Sequence, residues 1–320
     1  MLVTGGAGFI GSHVVDRLVQ LQAMVTVLDS LTYAGSLSNL RHHLGRRGFT
    51  FIHGDLAQVA EILADEAVDH VIHLAAESDI DRSIVAADVF LRTNLLGTAA
   101  VLEACTRSSV ALTVVSTDGV YGSGQAAGVF SELDPMQPSS PYAASKAGAD
   151  LLSFAFRWTY GTDVRIARGT NAYGPRQHPE KGIPTFVLAA LAGRPIPVYG
   201  DGHHRREWLY VTDWATACLA IADAGSPGEA YNIGGGTEVS NITLASRICE
   251  LAGSLPSLVG SVPDRPGHDV RYGLAWERLR ALGWSPNVSL EDGMIATVDW
   301  YRSNGDWVLE RQADMPERAY

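Results

Sequence analysis

Short apolar runs separated by helix-length stretches organise the first half of the chain. Leu2-Val3-Thr4 is the first run, followed by a glycine loop and a helical spacing through Val14, Leu18 and Leu21. Met24-Val25-Thr26-Val27-Leu28 reads as a second strand ending at Asp29, and Val71-Ile72-His73-Leu74-Ala75-Ala76 and Leu112-Thr113-Val114-Val115-Ser116 as further strands. Val164-Arg165-Ile166-Ala167 looks like one more. Strands alternating with helices predict an α/β fold, a doubly wound parallel sheet of Rossmann type with helices on both faces.

Beyond about residue 168 the pattern changes. Gly169, Gly174, Pro175, Pro179, Gly182, Pro184, Gly193, Pro195 and Pro197 punctuate loops and short strands. The expected organisation is a dinucleotide-binding domain over residues 1–167, rejoined by a segment at about 211–233. A smaller mixed α/β lobe over 168–210 and 234–320 would bind substrate. No internal repeat or low-complexity segment is present, and the stretch after Asn304, lacking an apolar period, is expected to be partly disordered.

Composition narrows the partners. Hydrophobic residues make up 46% and charged residues 18% of 320, ordinary for a globular α/β enzyme. A net charge of −11 argues against nucleic-acid binding by a basic surface, so an anionic substrate needs a local cluster of cations. Cys105, Cys218 and Cys249 are far apart and odd in number, which predicts buried free thiols and neither a disulfide framework nor a metal site. With no charged segment leading into an apolar one at the start, a cytoplasmic protein without membrane attachment is expected.

Gly5, Gly8 and Gly11 follow the first strand and open a helix. Without a Cβ, such positions let the turn tighten, the backbone approach a pyrophosphate, and the helix pack on the strand. Asp29 ends the second strand, where a carboxylate accepts from ribose hydroxyls and repels a 2′-phosphate, so NAD is expected rather than NADP. Tyr142 and Lys146, four apart, share one helical face. An ammonium beside the phenol lowers its pKa and suits it to take an alcohol proton. Thr117, at the end of the strand before them, is expected to hydrogen-bond the hydroxyl being oxidised.

The glycine loop, the Ser116-Thr117-Asp118-Gly119-Val120-Tyr121-Gly122 segment and the Tyr142-Lys146 pair together resemble the extended short-chain dehydrogenase/reductases, most closely the dTDP-glucose 4,6-dehydratases. The resemblance runs from Leu2 to about Asn304. It implies that Phe9, Ile10, Asp55, Leu56, Leu74, Ala75, Ala76 and Asn94 line the cofactor. In that family a 4-keto group acidifies C5; an Asp, here Asp118, protonates the leaving C6 hydroxyl, and a Glu removes the C5 proton. This chain has Gly119 at the Glu position. Asp118 alone, or Glu77, Asp79 or Glu132, is left to fill the role. Asp79 also departs from the pattern: the family's Glu-Ser-His-Val-Asp-Arg-Ser reads Glu77-Ser78-Asp79-Ile80-Asp81-Arg82-Ser83.

The second-lobe segments Asn171 to Lys181, Pro197-Val198-Tyr199-Gly200-Asp201-Gly202, Arg206-Glu207-Trp208-Leu209-Tyr210-Val211, Tyr231-Asn232-Ile233-Gly234-Gly235 and Asp264-Arg265-Pro266-Gly267-His268-Asp269 are similar to the family's sugar, nucleobase and phosphate contacts. By that resemblance Ser78, Arg82, Asn171, Lys181, Pro197, Tyr199, Arg206, Asn232, Arg265 and His268 bind a nucleotide-diphosphate sugar. Lys181, Arg206, Arg265 and His268 supply the cations for its diphosphate. Family members are homodimers, which implies an interface through residues 86–105 and 142–159. Three readings remain: a 4,6-dehydratase with a rearranged acid-base pair, which the chain-wide resemblance favours; a 4-epimerase on a nucleotide-linked hexose or hexuronate; and a non-catalytic binding paralogue.

Overall fold

The computed structural model describes residues 1–122, 129–264 and 273–313. Seven parallel strands form the central sheet: β1 (Leu2–Thr4), β2 (Val25–Asp29), β3 (Phe49–His53), β4 (His70–His73), β5 (Ala111–Thr117), β6 (Val164–Gly169) and, after two-lobe excursions by β7 (Asn171–Tyr173), β8 (Ile196–Tyr199) and β9 (Arg205–Tyr210), β10 (Ala230–Ile233). Their spatial order is β10-β6-β5-β4-β1-β2-β3, which puts β1 and β4 side by side where the winding reverses. In open α/β sheets ligands bind at such a switch point, beyond the carboxyl ends of the strands.

Helices α1 (Phe9–Gln20), α2 (Val59–Asp65), α3 (Ile80–Val85), α4 (Ala87–Phe90), α5 (Thr98–Ser108), α6 (Pro141–Tyr160), α7 (Gly182–Leu191) and α8 (Val211–Ala224) follow in chain order. Because side chains alternate along a strand, β1 feeds two cores: Val3 packs with Val14, Leu18, Val27, Trp214 and Ile221, while Leu2 packs on the other face with Leu28, Val71, Leu102, Leu112 and Val164. Each fully buried aliphatic of this kind contributes roughly 1.5–3 kcal/mol. α1 and α8 cover one face of the sheet, α2 and α5 the other.

A third apolar cluster lies away from the sheet. It joins Ile183 and Val187 of α7, Ile196 and Val198 of β8, Leu244 and Ile248 of α9 (Asn241–Ala252), and Met294 and Val298 of the helix Leu290–Ser303. Short sheets accompany it: β9 lies between β7 and β11 (Thr237–Ser240), and β8 pairs with β12 (Val259–Val262).

Two sequence expectations are corrected and one strand is added. β3, Phe49-Thr50-Phe51-Ile52-His53, is not among the expected strands although it is rich in apolar residues; it is an edge strand of partly exposed residues that pairs with β2 alone. β4 ends at His73, so Leu74, Ala75 and Ala76 leave the sheet and form a loop. The stretch after Asn304 is in part a helix, Gly305–Ala313, anchored by buried Val308 and by Arg311, whose guanidinium donates to the carbonyls of Tyr33 and Gly35. Its stability comes from those tertiary contacts, which leave little periodic trace.

Candidate active site

The β1–α1 turn is shaped around backbone. Gly5 has φ +70°, and a Cβ there would fall 2.5 Å from the Ala75 nitrogen. A Cβ on Gly11 would fall 2.2 Å from the Gly5 oxygen. Gly8 caps α1 without any side-chain hydrogen bond, so first-turn N–H groups are left for an anion. Phe9 and Ile10 begin the helix. Asp29 is buried, and burial raises its pKa; its Oδ2 accepts from Ala7 N and its Oδ1 from Leu31 N, both at 2.9 Å. Each oxygen keeps a further lone pair, so the carboxylate that orders the loop can still accept from ribose hydroxyls. These residues fit a dinucleotide.

Asp55 uses its side chain in a capping box with Gln58, and Leu56 packs at the edge of the second core. Leu74, Ala75 and Ala76 are half-buried over the glycine turn. Asn94 sits in a π-helical turn, Leu91–Gly97, a geometry enriched at functional sites. Its side chain is spent internally: Oδ1 accepts from Glu77 N, and Nδ2 donates to the Glu77 carbonyl and to Ser145 Oγ, each at 2.9 Å. In this conformation Asn94 ties the 77 loop to α6 and leaves no donor for a cofactor, a departure from the expectation.

Ser140 caps α6 through Ala143 N, and Pro141 opens it, which puts Tyr142 in the first turn and Lys146 on the next. β5 delivers Thr117 beside them. Thr117 Oγ1 donates to Asp118 Oδ1 at 3.1 Å and accepts from Gly119 N at 3.2 Å, and Thr117 is near enough to the Tyr142 phenol to act on its pKa. Burial pushes Tyr142 up to about 12, with the Asp118 and Asp150 carboxylates adding and Thr117 opposing. Burial also brings Lys146 down to about 8, against the pull of Asp150. The expected lowering of the phenol by Lys146 is therefore not present in this conformation: the ammonium bonds the Val115 carbonyl at 2.6 Å. A cation arriving over Tyr142 is what the phenol still needs.

Two residues behind this group escaped the sequence reading. Asp150, one further turn along α6 from Lys146, is fully buried and pairs with Arg168 of β6 at 2.8 Å. Arg168 also donates to the Tyr121 hydroxyl at 2.9 Å, which donates to Asn232 Oδ1 at 2.7 Å. The available signals were the i+4 spacing from Lys146 and a charged residue inside an apolar strand.

Gly119 is buried, and a Cβ there would fit without a clash. A Cβ there would meet Ala143 Cβ and Thr117 Oγ1 at 3.5 Å, ordinary contact distances. Of the three carboxylates the sequence offered, Glu77 is buried, with its pKa raised by burial and its Oε2 3.5 Å from Arg82 without a hydrogen bond among the described residues, while Asp79 and Glu132 are engaged. Asp79 Oδ1 caps α3 by accepting from Arg82 N at 2.8 Å, and its Oδ2 lies 3.7 Å from Lys181 Nζ. Glu132 Oε1 accepts from Asn232 N at 2.8 Å.

The substrate candidates divide into groups. Ser78, Arg82 and Lys181 are brought together: Lys181 Nζ donates to the Ser78 carbonyl at 3.0 Å, and Arg82 lies 4.1 Å over the Tyr33 ring and 3.5 Å from Glu77. Asn171 Nδ2 is buried with no hydrogen-bond partner among the described residues, as a group awaiting a ligand would be. Arg206 is buried on β9 beside Glu207, whose carboxyl burial pushes up to about 7, with Asp118 adding; Glu207 accepts from Gly236 N and Leu274 N. Pro197 and Tyr199 sit on the separate β8–β12 sheet. Asn232 is not open to substrate: besides Tyr121, its Nδ2 donates to the Phe130 and Ala275 carbonyls, both at 3.0 Å. A buried amide so engaged is a structural knot. Arg265 and His268 lie outside the described residues.

The arrangement can move a proton between a substrate hydroxyl and Tyr142, orient that hydroxyl through Thr117, and offer Asp118 as a second acid-base group. Comparison with known proteins gives the family. The model of the NAD dependent epimerase/dehydratase family matches residues 1–234. A dTDP-glucose 4,6-dehydratase from Streptomyces niveus is 46% identical over 318 residues, covering 96% of this chain and 94% of that protein. The crystal structure of DesIV, a dTDP-glucose 4,6-dehydratase from Streptomyces venezuelae solved with NAD bound, superimposes with a TM-score of 0.93 at 45% identity, over 97% of this chain and 99% of that one. A Thermus thermophilus UDP-glucose 4-epimerase in complex with NAD gives 0.88 at 34% identity, over 95% and 99%. With glycine turn, Thr117, Tyr142 and Lys146 on the same fold, the chain belongs to the NAD dependent epimerase/dehydratase family, within the extended short-chain dehydrogenase/reductases.

Proposed function

We propose that this protein is an NAD-dependent nucleotide-sugar enzyme of the dTDP-glucose 4,6-dehydratase type, which begins by oxidising the sugar's C4 hydroxyl. The observation that carries the reading is the meeting of Thr117 and Asp118 at the end of β5 with Tyr142 in the first turn of α6, Lys146 lying one turn behind. Gly5, Gly8, Gly11 and Asp29 hold the dinucleotide. NAD bound there supplies the two-electron acceptor for C4 and a positive charge beside Tyr142. Tyr142 takes the C4 hydroxyl proton, Thr117 fixes that hydroxyl, and Asp118 protonates the departing C6 hydroxyl. Ser78, Arg82, Asn171, Lys181 and Arg206 contact sugar and diphosphate.

Gly119 favours a second reading. Without a carboxylate there, the C5 proton has no dedicated base, and the oxidised sugar has room to turn over and be reduced on its other face, which is 4-epimerisation. Incubation with dTDP-glucose in D₂O separates the two by NMR and mass spectrometry. A 4-keto-6-deoxy product with deuterium at C5 supports dehydration, and a galacto product without deuterium supports epimerisation; recovery of unchanged sugar refutes dTDP-glucose as the substrate.

The assembly proposed is a homodimer acting in the cytoplasm. Val85, Leu91 and Leu96 are exposed, as are Leu151 and Trp158 of α6, the last at 85%. These apolar side chains sit on or beside the two segments the resemblance assigns to the interface. Among the described residues no helix is long and apolar enough to cross a membrane.

A further inference from the structure

Away from the candidate active site, Asp16 of α1 gathers three side chains from two other parts of the chain. His42 Nε2 lies 2.8 Å from Asp16 Oδ1, and His43 Nε2 lies 2.6 Å from the same oxygen. Arg176 takes the other oxygen, Oδ2. The two imidazoles are consecutive in sequence, with ring centroids 4.0 Å apart. One ligand atom from each of Asp16, His42 and His43 lies within 4.8 Å of the others.

We propose that Asp16, His42 and His43 form a binding site for a divalent transition-metal ion of the zinc class. Two imidazole nitrogens and one carboxylate oxygen are the donor set such ions prefer over magnesium or calcium. Ligands about 2.0–2.1 Å from a tetrahedral ion stand about 3.3 Å apart, so the nitrogens of His42 and His43 need to retreat from Oδ1 by about 0.5 and about 0.7 Å. That is within reach of side-chain torsions.

Proton positions allow it. Each ring now faces the carboxylate with Nε2, and ligation requires the proton to move to Nδ1. His43 Nδ1 has no hydrogen-bond partner among the described residues, so nothing on that side pins the tautomer.

Surroundings complete the case. Arg176 on Oδ2 leaves Oδ1 for the ion and fixes the carboxylate plane, the part an outer-shell partner plays in metal centres. A cleft of ≈ 450 Å³ lined by His13, Asp16, His42, Arg176, Trp300 and Trp307 opens onto the cluster and leaves space for a water as fourth ligand. The guanidinium's charge opposes a dication across the carboxylate, so affinity is micromolar rather than that of a closed structural zinc site. Bound there, the ion clips the 42–43 segment to α1, and through Arg176 to the loop that carries Asn171 and Lys181.

The test uses untagged full-length protein, stripped with EDTA and desalted. Isothermal titration with ZnCl₂ is expected to give one ion per chain, with a rise in melting temperature, and CoCl₂ is expected to give visible bands of a tetrahedral nitrogen-oxygen site. His42→Gln, at a half-exposed position that does not endanger folding, weakens Zn²⁺ at least about tenfold, as does His43→Gln. Failure of the wild-type protein to take up Zn²⁺ at about ten micromolar, or unchanged affinity in His42→Gln, overturns the proposal. Neither result depends on which sugar is turned over.

Discussion

Gly119 is buried beside Ala143: a Cβ added to the glycine would stand 3.5 Å from the alanine Cβ, in ordinary contact and without a clash. Gly119→Glu is expected to fold with a melting temperature within a few degrees of wild type. It is expected to raise 4,6-dehydration of dTDP-glucose by about 10²–10⁴-fold, the usual worth of a positioned general base. A folded variant with no gain would show that dehydration is not limited by the missing carboxylate.

Tyr142→Phe keeps the ring against Phe90 and removes the hydroxyl beside Thr117. Turnover should fall by about 10²–10⁴-fold while bound NAD is retained. Spectroscopic quantitation of NAD in the purified variant, beside its turnover, checks both halves; a variant with full turnover would dismiss Tyr142 as the acid-base group.

The Asp150–Arg168 pair is buried on both sides, at 0% and 2% side-chain exposure. Removing one partner strands the other charge, so Asp150→Ala is expected to cost about 3–5 kcal/mol in urea unfolding. Asp150 also holds the Lys146 pKa up from further depression. In the milder Asp150→Asn variant, the pH at which Lys146 loses its proton therefore falls below about 8. A pH–rate profile with an unmoved alkaline limb would contradict that coupling.

Burial holds His13 and His73 down to about 3 and His70 to about 4. His73 sits between the Thr4 and Thr98 hydroxyls, at 2.7 and 3.0 Å. The native state thus refuses protons that the unfolded chain accepts below its ordinary histidine value of 6.5. The stability these groups contribute is complete above that value and is lost as pH falls toward 4, by about 1.4 kcal/mol per pH unit for each histidine. Urea midpoints at pH 7 and pH 5 should differ steeply, and equal midpoints would reject this account.

Trp158→Glu places a charge on the exposed apolar face of α6. Light scattering is expected to show a dimer for wild type and a monomer for the variant, with bound NAD unchanged; a wild-type monomer refutes the interface.

Much of this molecule was legible before folding, for local reasons. Glycine spacing after an apolar run, a carboxylate at the end of the next strand, and a Tyr and Lys one helical turn apart each record a constraint between residues close in sequence. The parallel sheet followed from strand-helix alternation, which is also local. β3 was missed although it is rich in apolar residues, and as an edge strand it stays partly exposed. The helix at Gly305–Ala313 was missed because Arg311 secures it through contacts more than 270 residues distant, and Val308 through the apolar cluster of the second lobe.

Sequence by itself determined the family, and it located the glycine turn, the Tyr142–Lys146 spacing and the absence of a side chain at Gly119, because each is a matter of residue identity and short spacing. Tertiary structure decided how those residues are used. It committed Asn94 and Asn232 to internal hydrogen bonds, buried Asp150 behind Lys146, and turned Asp79 into a helix cap. It also brought Asp16 to His42, His43 and Arg176 across up to 160 positions. Whether a polar side chain is free or spent depends on which partners the fold delivers to it, and those partners come from distant parts of the chain.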